Sequence, residues 1–115
     1  MPVAAFINGS TEPPPLELRA GRAHRIRLVS ISAALVRRVR LVSDSGVEIW
    51  RAVSKDGADL PPRQATSRPA SIDLGPGETV DFEILRSGRE SLTLEVITAP
   101  RAPKPHVMRI PVIVR

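Results

Sequence analysis

An all-β domain built as a Greek-key β-sandwich is the fold this sequence predicts, and three observations predict it. Apolar and polar residues alternate through one strand-length run after another. Twelve prolines and seven glycines punctuate those runs at short intervals. No stretch keeps a helical apolar period for three turns.

Each element can be justified in order. Short strands suit Val3 to Ile7 and Pro15 to Arg19. Ala20-Gly21 turns the chain into His24 to Ile31, where Ile26 and Leu28 face one way and Arg25 and Arg27 the other. Val36 to Val42 repeats the pattern, with Val39 and Leu41 inward and Arg38 and Arg40 outward. Asp44-Ser45-Gly46 and Lys55-Asp56-Gly57 are turns, because Asp bonds nearby backbone and Gly accepts a positive φ. Between them, Val47 to Val53 is predicted as one strand that carries Trp50. Ala70 to Leu74 forms a short strand, and Gly75-Pro76-Gly77-Glu78 leads into Thr79 to Leu85. There Val80, Phe82 and Ile84 point inward and Asp81 and Glu83 outward. Ser87-Gly88-Arg89-Glu90 joins the next strand at hairpin distance, and that strand's inward row is Leu92, Leu94 and Val96. Pro100 to Pro105 reads as an extended loop, since a residue before proline is steered away from helix. The last strand turns Met108, Ile110, Val112 and Val114 inward. Pro111 lies inside it and cannot donate to a ladder, so the strand is at an edge or the missing N–H points outward. With no internal repeat and no linker, residues 1–115 are predicted to form a single domain.

Composition narrows the chemistry. A chain of 115 residues buries enough surface for a core without covalent staples. It has no cysteine, which removes disulfides, Cys-ligated zinc and iron–sulfur clusters but leaves the redox compartment open. No apolar run is long enough to span a membrane, and the first residues lack the pattern of a signal peptide. The formal charge is +5, with 17 basic residues of which only Lys55 and Lys104 are lysine. The arginines interleave with acids along the chain. Two Phe, one Trp and no Tyr leave little for stacking on bases. A solvated Arg-rich surface is therefore expected rather than specific nucleic-acid binding, with non-specific polyanion binding as an alternative.

Four segments resemble a known family. FINGS (Phe6 to Ser10), LELRAGRAHRIRLVSIS (Leu16 to Ser32), IWRAVSKDGADLPP (Ile49 to Pro62) and LGPGETVDFEIL (Leu74 to Leu85) resemble, in order and spacing, the cupredoxin-like (plastocyanin-like) domains of laccase-like multicopper oxidases. The resemblance covers about Phe6 to Val114 and is nearest to the copper-free second domain. It implies a cupredoxin-like sandwich that packs between copper-bearing neighbours and helps form a substrate surface. It also implies a periplasmic or extracellular setting if the chain derives from such an enzyme.

The family's copper ligands do not carry over. A type 1 site needs two His, a Cys thiolate and usually an axial Met. This chain offers His24, His106, Met1 and Met108, no Cys and no His-x-His pair. His24 is expected to be partly buried and hydrogen-bonded. His106 and Met108 are two apart and share one face of a strand, a spacing that a soft Cu(I) site could use. Asp56 and Asp59 belong to a turn with too few oxygen ligands for Ca²⁺. Asp81 and Glu83 are expected in surface ion pairs with Arg25, Arg27, Arg38 and Arg40. Trp50 is expected to anchor the core. Expected function is thus a non-catalytic scaffold or interaction domain with no catalytic residues, metal ligands or cofactor. Its expected partners are other cupredoxin domains or a second copy, as in a homodimer. The alternatives are a small copper-binding protein using His106 and Met108, and a basic polyanion-binding module.

Overall fold

The computed structural model describes residues 12–31 and 35–115. The expected strand at Val3 to Ile7, the Phe6 to Ser10 segment and Met1 lie outside them. The described chain is all β, in two sheets. Its strands are β1 (Leu16–Leu18), β2 (Ala23–Val29), β3 (Arg37–Ser43), β4 (Gly46–Val47), β5 (Ile49–Lys55), β6 (Ala58–Asp59), β7 (Ser67–Pro69), β8 (Ser71–Leu74), β9 (Thr79–Leu85), β10 (Glu90–Thr98) and β11 (His106–Val114). The first sheet runs β1-β11-β10-β3, with β4 and β8 both paired to β3. The second runs β2-β9-β5, with β6 and β7 both paired to β5.

The predicted inward rows meet between the sheets. Val39, Leu41, Leu92, Leu94, Val96, Met108, Ile110, Val112 and Val114 are buried on the first sheet. Trp50, Ala52, Val80, Phe82 and Ile84 face them from the second, with Ile26 and Leu28 packed at the margin. Trp50 stacks on Phe82 with ring centroids 4.0 Å apart and planes 14° from parallel. Alternation works here because a pleated strand sends successive side chains to opposite faces.

Two expectations change. Val47 to Val53 is not one strand: β4 joins the first sheet and β5 the second. The switch occurs at Glu48, whose N–H donates to the Leu41 carbonyl (2.8 Å) and whose carbonyl accepts from Ala70 N–H (2.8 Å). Ala70, fully buried, makes the same switch between β7 and β8, and its carbonyl accepts from Leu41 N–H. The two crossovers stitch one side of the sandwich shut. Alternation reports which way a side chain points, and both pieces point their apolar residues at the same core, so the change of sheet leaves no trace in the period.

The Ser87 to Glu90 connection is not a hairpin either, since β9 and β10 lie in opposite sheets. Phe82 and Leu94 therefore enter the core from opposite sheets instead of lying side by side on one. Short loops fit both geometries, so loop length did not distinguish them.

Pro111 sits opposite Thr93 of β10. Parallel pairing with β1 begins one residue later, at Val112. Among the described residues, β11 is thus an edge up to Pro111 and an interior strand after it. The proline occupies the last position where the ladder on that side asks for no donor.

Candidate functional site

The two histidines mark opposite ends of the sandwich. His24 pairs with Ile84 near the end of β9, and its Nε2 accepts a 2.9 Å hydrogen bond from Arg19 N–H. It is half-buried and hydrogen-bonded, as expected. His106 pairs with Thr98, at the far end of β10. The span from Glu90 to Thr98 separates the two ends by about 26 Å. His106 is exposed, whereas Met108 is buried in the inward row. Among the described residues no three His, Cys, Asp or Glu side chains gather into a possible metal site.

Asp56 and Gly57 make the turn between β5 and β6, with φ of 51° and 82°. Asp56 Oδ1 accepts from Thr79 N–H, and Lys55 Nζ donates to Glu78 at 3.0 Å. These side chains brace a turn, and Asp59 remains exposed.

Asp81 and Glu83 differ sharply. Both lie on the outer face of the second sheet, as predicted. Asp81 is nevertheless only 1% exposed. Arg25 Nε donates to its Oδ2 at 2.7 Å, and Arg27 donates from Nε at 3.0 Å and Nη2 at 3.1 Å. A bulge between Ala52 and Ser54 sets Ser54 opposite Asp81. The Arg27 hydrogen bond, with help from Arg25 and the Ser54 hydroxyl, outweighs desolvation and holds the Asp81 carboxyl down at about 2. Glu83 is more open and takes one bond, from Arg51 at 3.1 Å. The predicted Arg38 and Arg40 partners are wrong, because both stand on the other sheet. There Arg38 pairs with Asp73, while Arg40 and Arg109 flank Glu95. Arg40, and then Arg109, hold the Glu95 carboxyl below its ordinary range against burial. Arg86 ties Glu90 at 2.8 Å to Glu48 at 3.2 Å, so the β9–β10 connection is clamped to the first crossover.

Much of the positive charge is therefore spent inside ion pairs. Arg19, Arg22 and Arg89 make no ion pair among the described residues at one end of the sandwich, nor do Arg37 and Lys104 at the other, where Arg101 lies within electrostatic reach of Asp73; Arg63 makes none beside β5. That scatter does not make the continuous basic stripe that tracks a polyanion.

Two further features were not foreseen. Ile49 and Leu85 are each 60% exposed and lie just beyond the Arg51–Glu83 pair on the same outer face. Separately, a cleft of about 490 Å³ opens between the sheets beside β5 and β8, under the 60–66 connection. Its one sequence signal is that residues 60–72 contain no acid but include Arg63 and Arg68.

Comparison with solved structures gives this architecture a context. The chain superposes on a blue copper oxidase from Nitrosomonas europaea with a TM-score of 0.66 and 17% identity, over 90% of this chain and 31% of that one. For a laccase-like multi-copper oxidase from Ochrobactrum sp. the TM-score is 0.64 at 18% identity, over 88% and 21% of the two chains. A multi-copper oxidase from Pediococcus acidilactici gives 0.61 at 8% identity, over 90% and 21%. The fold is cupredoxin-like. The chain spans less than a third of the length of each of these structures, and identities this low speak for the fold alone. No family model and no curated protein matches the sequence.

Proposed function

We propose that this cupredoxin-like chain is a non-catalytic scaffold and interface domain, of the kind that stands as a copper-free second domain in a multicopper oxidase. The observation that carries the reading is the fate of the two histidines. They are held at opposite ends of the sandwich, His24 is engaged by Arg19 N–H, and the sequence has no cysteine to supply a thiolate. A type 1 site needs two imidazoles and a thiolate at one point. The reading that makes His106 and Met108 a copper pair gains no support, since Met108 packs among Val96 and Ile110 in the core.

Equimolar Cu(I) or Cu(II), followed by desalting and metal analysis, is expected to leave no stoichiometric copper on the chain. Oxidation of a phenolic dye is expected to stay at the level of free copper. Stoichiometric retention with dye turnover refutes the proposal. Retention that disappears on His106→Ala transfers the assignment to a copper-binding protein.

An interface role needs a surface to form it. The Ile49–Leu85 patch is the candidate, because exposed apolar residues grouped beside an ion pair mark contact surfaces. The expected partner is a second copy or a neighbouring cupredoxin domain. Sedimentation velocity is expected to give a concentration-dependent dimer that Ile49→Lys with Leu85→Lys converts to monomer. A wild-type chain that stays monomeric at high concentration removes self-association.

A further inference from the structure

The cleft between the sheets differs in composition from the neighbouring cleft on the outer face. Its floor is Ala52, Val80 and Phe82 from the second sheet and Ile72 from the first, with Leu60 at one wall. Its rim carries Lys55, Arg63 and Arg68, and no carboxylate lines it. The neighbouring cleft on the outer face is the contrast: Arg25 and Arg51 there stand among Asp59 and Glu83 and neutralise one another.

The crossovers explain why this opening exists. Glu48 and Ala70 lock the sheets together along one half of this side. Beyond Ala70 the chain follows β3, while the remainder of β5 stays with β9, so the sheets part. The 60–66 connection bends over the gap, held by Ala52 N–H donating to the Thr66 carbonyl (3.1 Å) and Leu60 N–H to the Val53 carbonyl (2.9 Å).

The rim cations differ in availability. Lys55 is paired with Glu78. Arg68 uses Nη2 on the Gln64 carbonyl (2.7 Å) and Thr66 Oγ1 (3.2 Å), which leaves its Nε and Nη1 without a partner among the described residues. Arg63 has no partner among the described residues at all. An apolar floor under unpaired guanidinium groups suits an apolar body with one anionic head, since guanidinium matches a carboxylate in shape as well as charge. The volume falls in the range of roughly 300–1,000 Å³ usual for small-molecule sites.

We propose that this cleft binds a small amphiphilic monocarboxylate, its apolar body on the Phe82–Ile72 floor and its carboxylate on the Arg63–Arg68 rim. The site is independent of copper and of the scaffold reading above.

Octanoate is a suitable probe, with 1-octanol as its uncharged counterpart. Trp50 is the single tryptophan and stacks on the floor residue Phe82, so its emission reports occupancy. Octanoate is expected to bind saturably, about tenfold more tightly than 1-octanol, and to shift the backbone amides of Leu60, Thr66 and Ile72. Arg63→Gln is expected to weaken octanoate about tenfold while leaving 1-octanol and the thermal midpoint unchanged. Arg68→Gln provides a second variant with the same expected direction. Equal affinity for the alcohol and the acid, an unchanged octanoate affinity in both variants, or no saturable response at millimolar octanoate overturns the assignment.

Discussion

Replacing Trp50 by alanine is expected to lower the unfolding free energy by about 4 kcal/mol, the largest effect of any single change considered. The indole is 2% exposed and covers one face of Phe82, so truncation opens a cavity between the sheets and ends a ring stack. Beside a total stability of about 5–15 kcal/mol, that loss leaves the domain marginal. Its thermal midpoint should fall by roughly 15 °C. Trp50→Phe separates packing from polarity. Trp50 Nε1 is buried with no hydrogen-bond partner among the described residues. Phenylalanine keeps most of the apolar contact and removes an unsatisfied donor, whose burial costs about 1–3 kcal/mol. The phenylalanine variant is therefore expected to lie much nearer the wild type. Urea unfolding of the three proteins checks the order, and equal losses in both variants would show that Trp50 does not act through packing.

Asp81→Asn is expected to cost about 1–2 kcal/mol at neutral pH, and the cost should disappear in acid. A folded-state pKa of about 2 lies below the ordinary value of 3.8. The carboxylate therefore contributes stability above the unfolded pKa and loses it as pH falls from about 4 to about 2. The shift alone corresponds to roughly 2 kcal/mol. Arg25 and Arg27 are 52% and 64% exposed, so solvent screens part of it. Glu83→Gln, which breaks one exposed bond to Arg51, should cost no more than about 0.5 kcal/mol. Unfolding midpoints measured from pH 7 to pH 2 test both: wild type and Asp81→Asn should converge at the acid end. Parallel curves would mean that the carboxylate charge is not what Asp81 contributes.

These two residues also mark how far the sequence could be read. Trp50 was legible, because Ile49 and Arg51 alternate around it and a lone large apolar ring belongs inside. Asp81 was legible only as an outward side chain. That Arg25 and Arg27 lie across it from β2, and that a bulge brings Ser54 opposite, depends on which strands are neighbours. The same gap produced the wrong partners for it in Arg38 and Arg40. His24 was read correctly as partly buried and hydrogen-bonded, but no spacing rule placed it and His106 at opposite ends. The cleft was invisible, because β5, the 60–66 connection, β8 and β9 each supply part of its lining.

The sequence by itself determined where most of the longer strands lie, the inward rows and the missing thiolate. All of these depend on residue identity and on the two-residue period of a pleated chain, which are local quantities. Only the tertiary structure decided the sheet to which each strand belongs, the crossovers at Glu48 and Ala70, the burial of Asp81 and the opening lined by Arg63 and Arg68. Those depend on contacts between residues far apart in the chain. A strand's alternation is identical whichever sheet it joins, so packing of the two layers against each other had to make the choice.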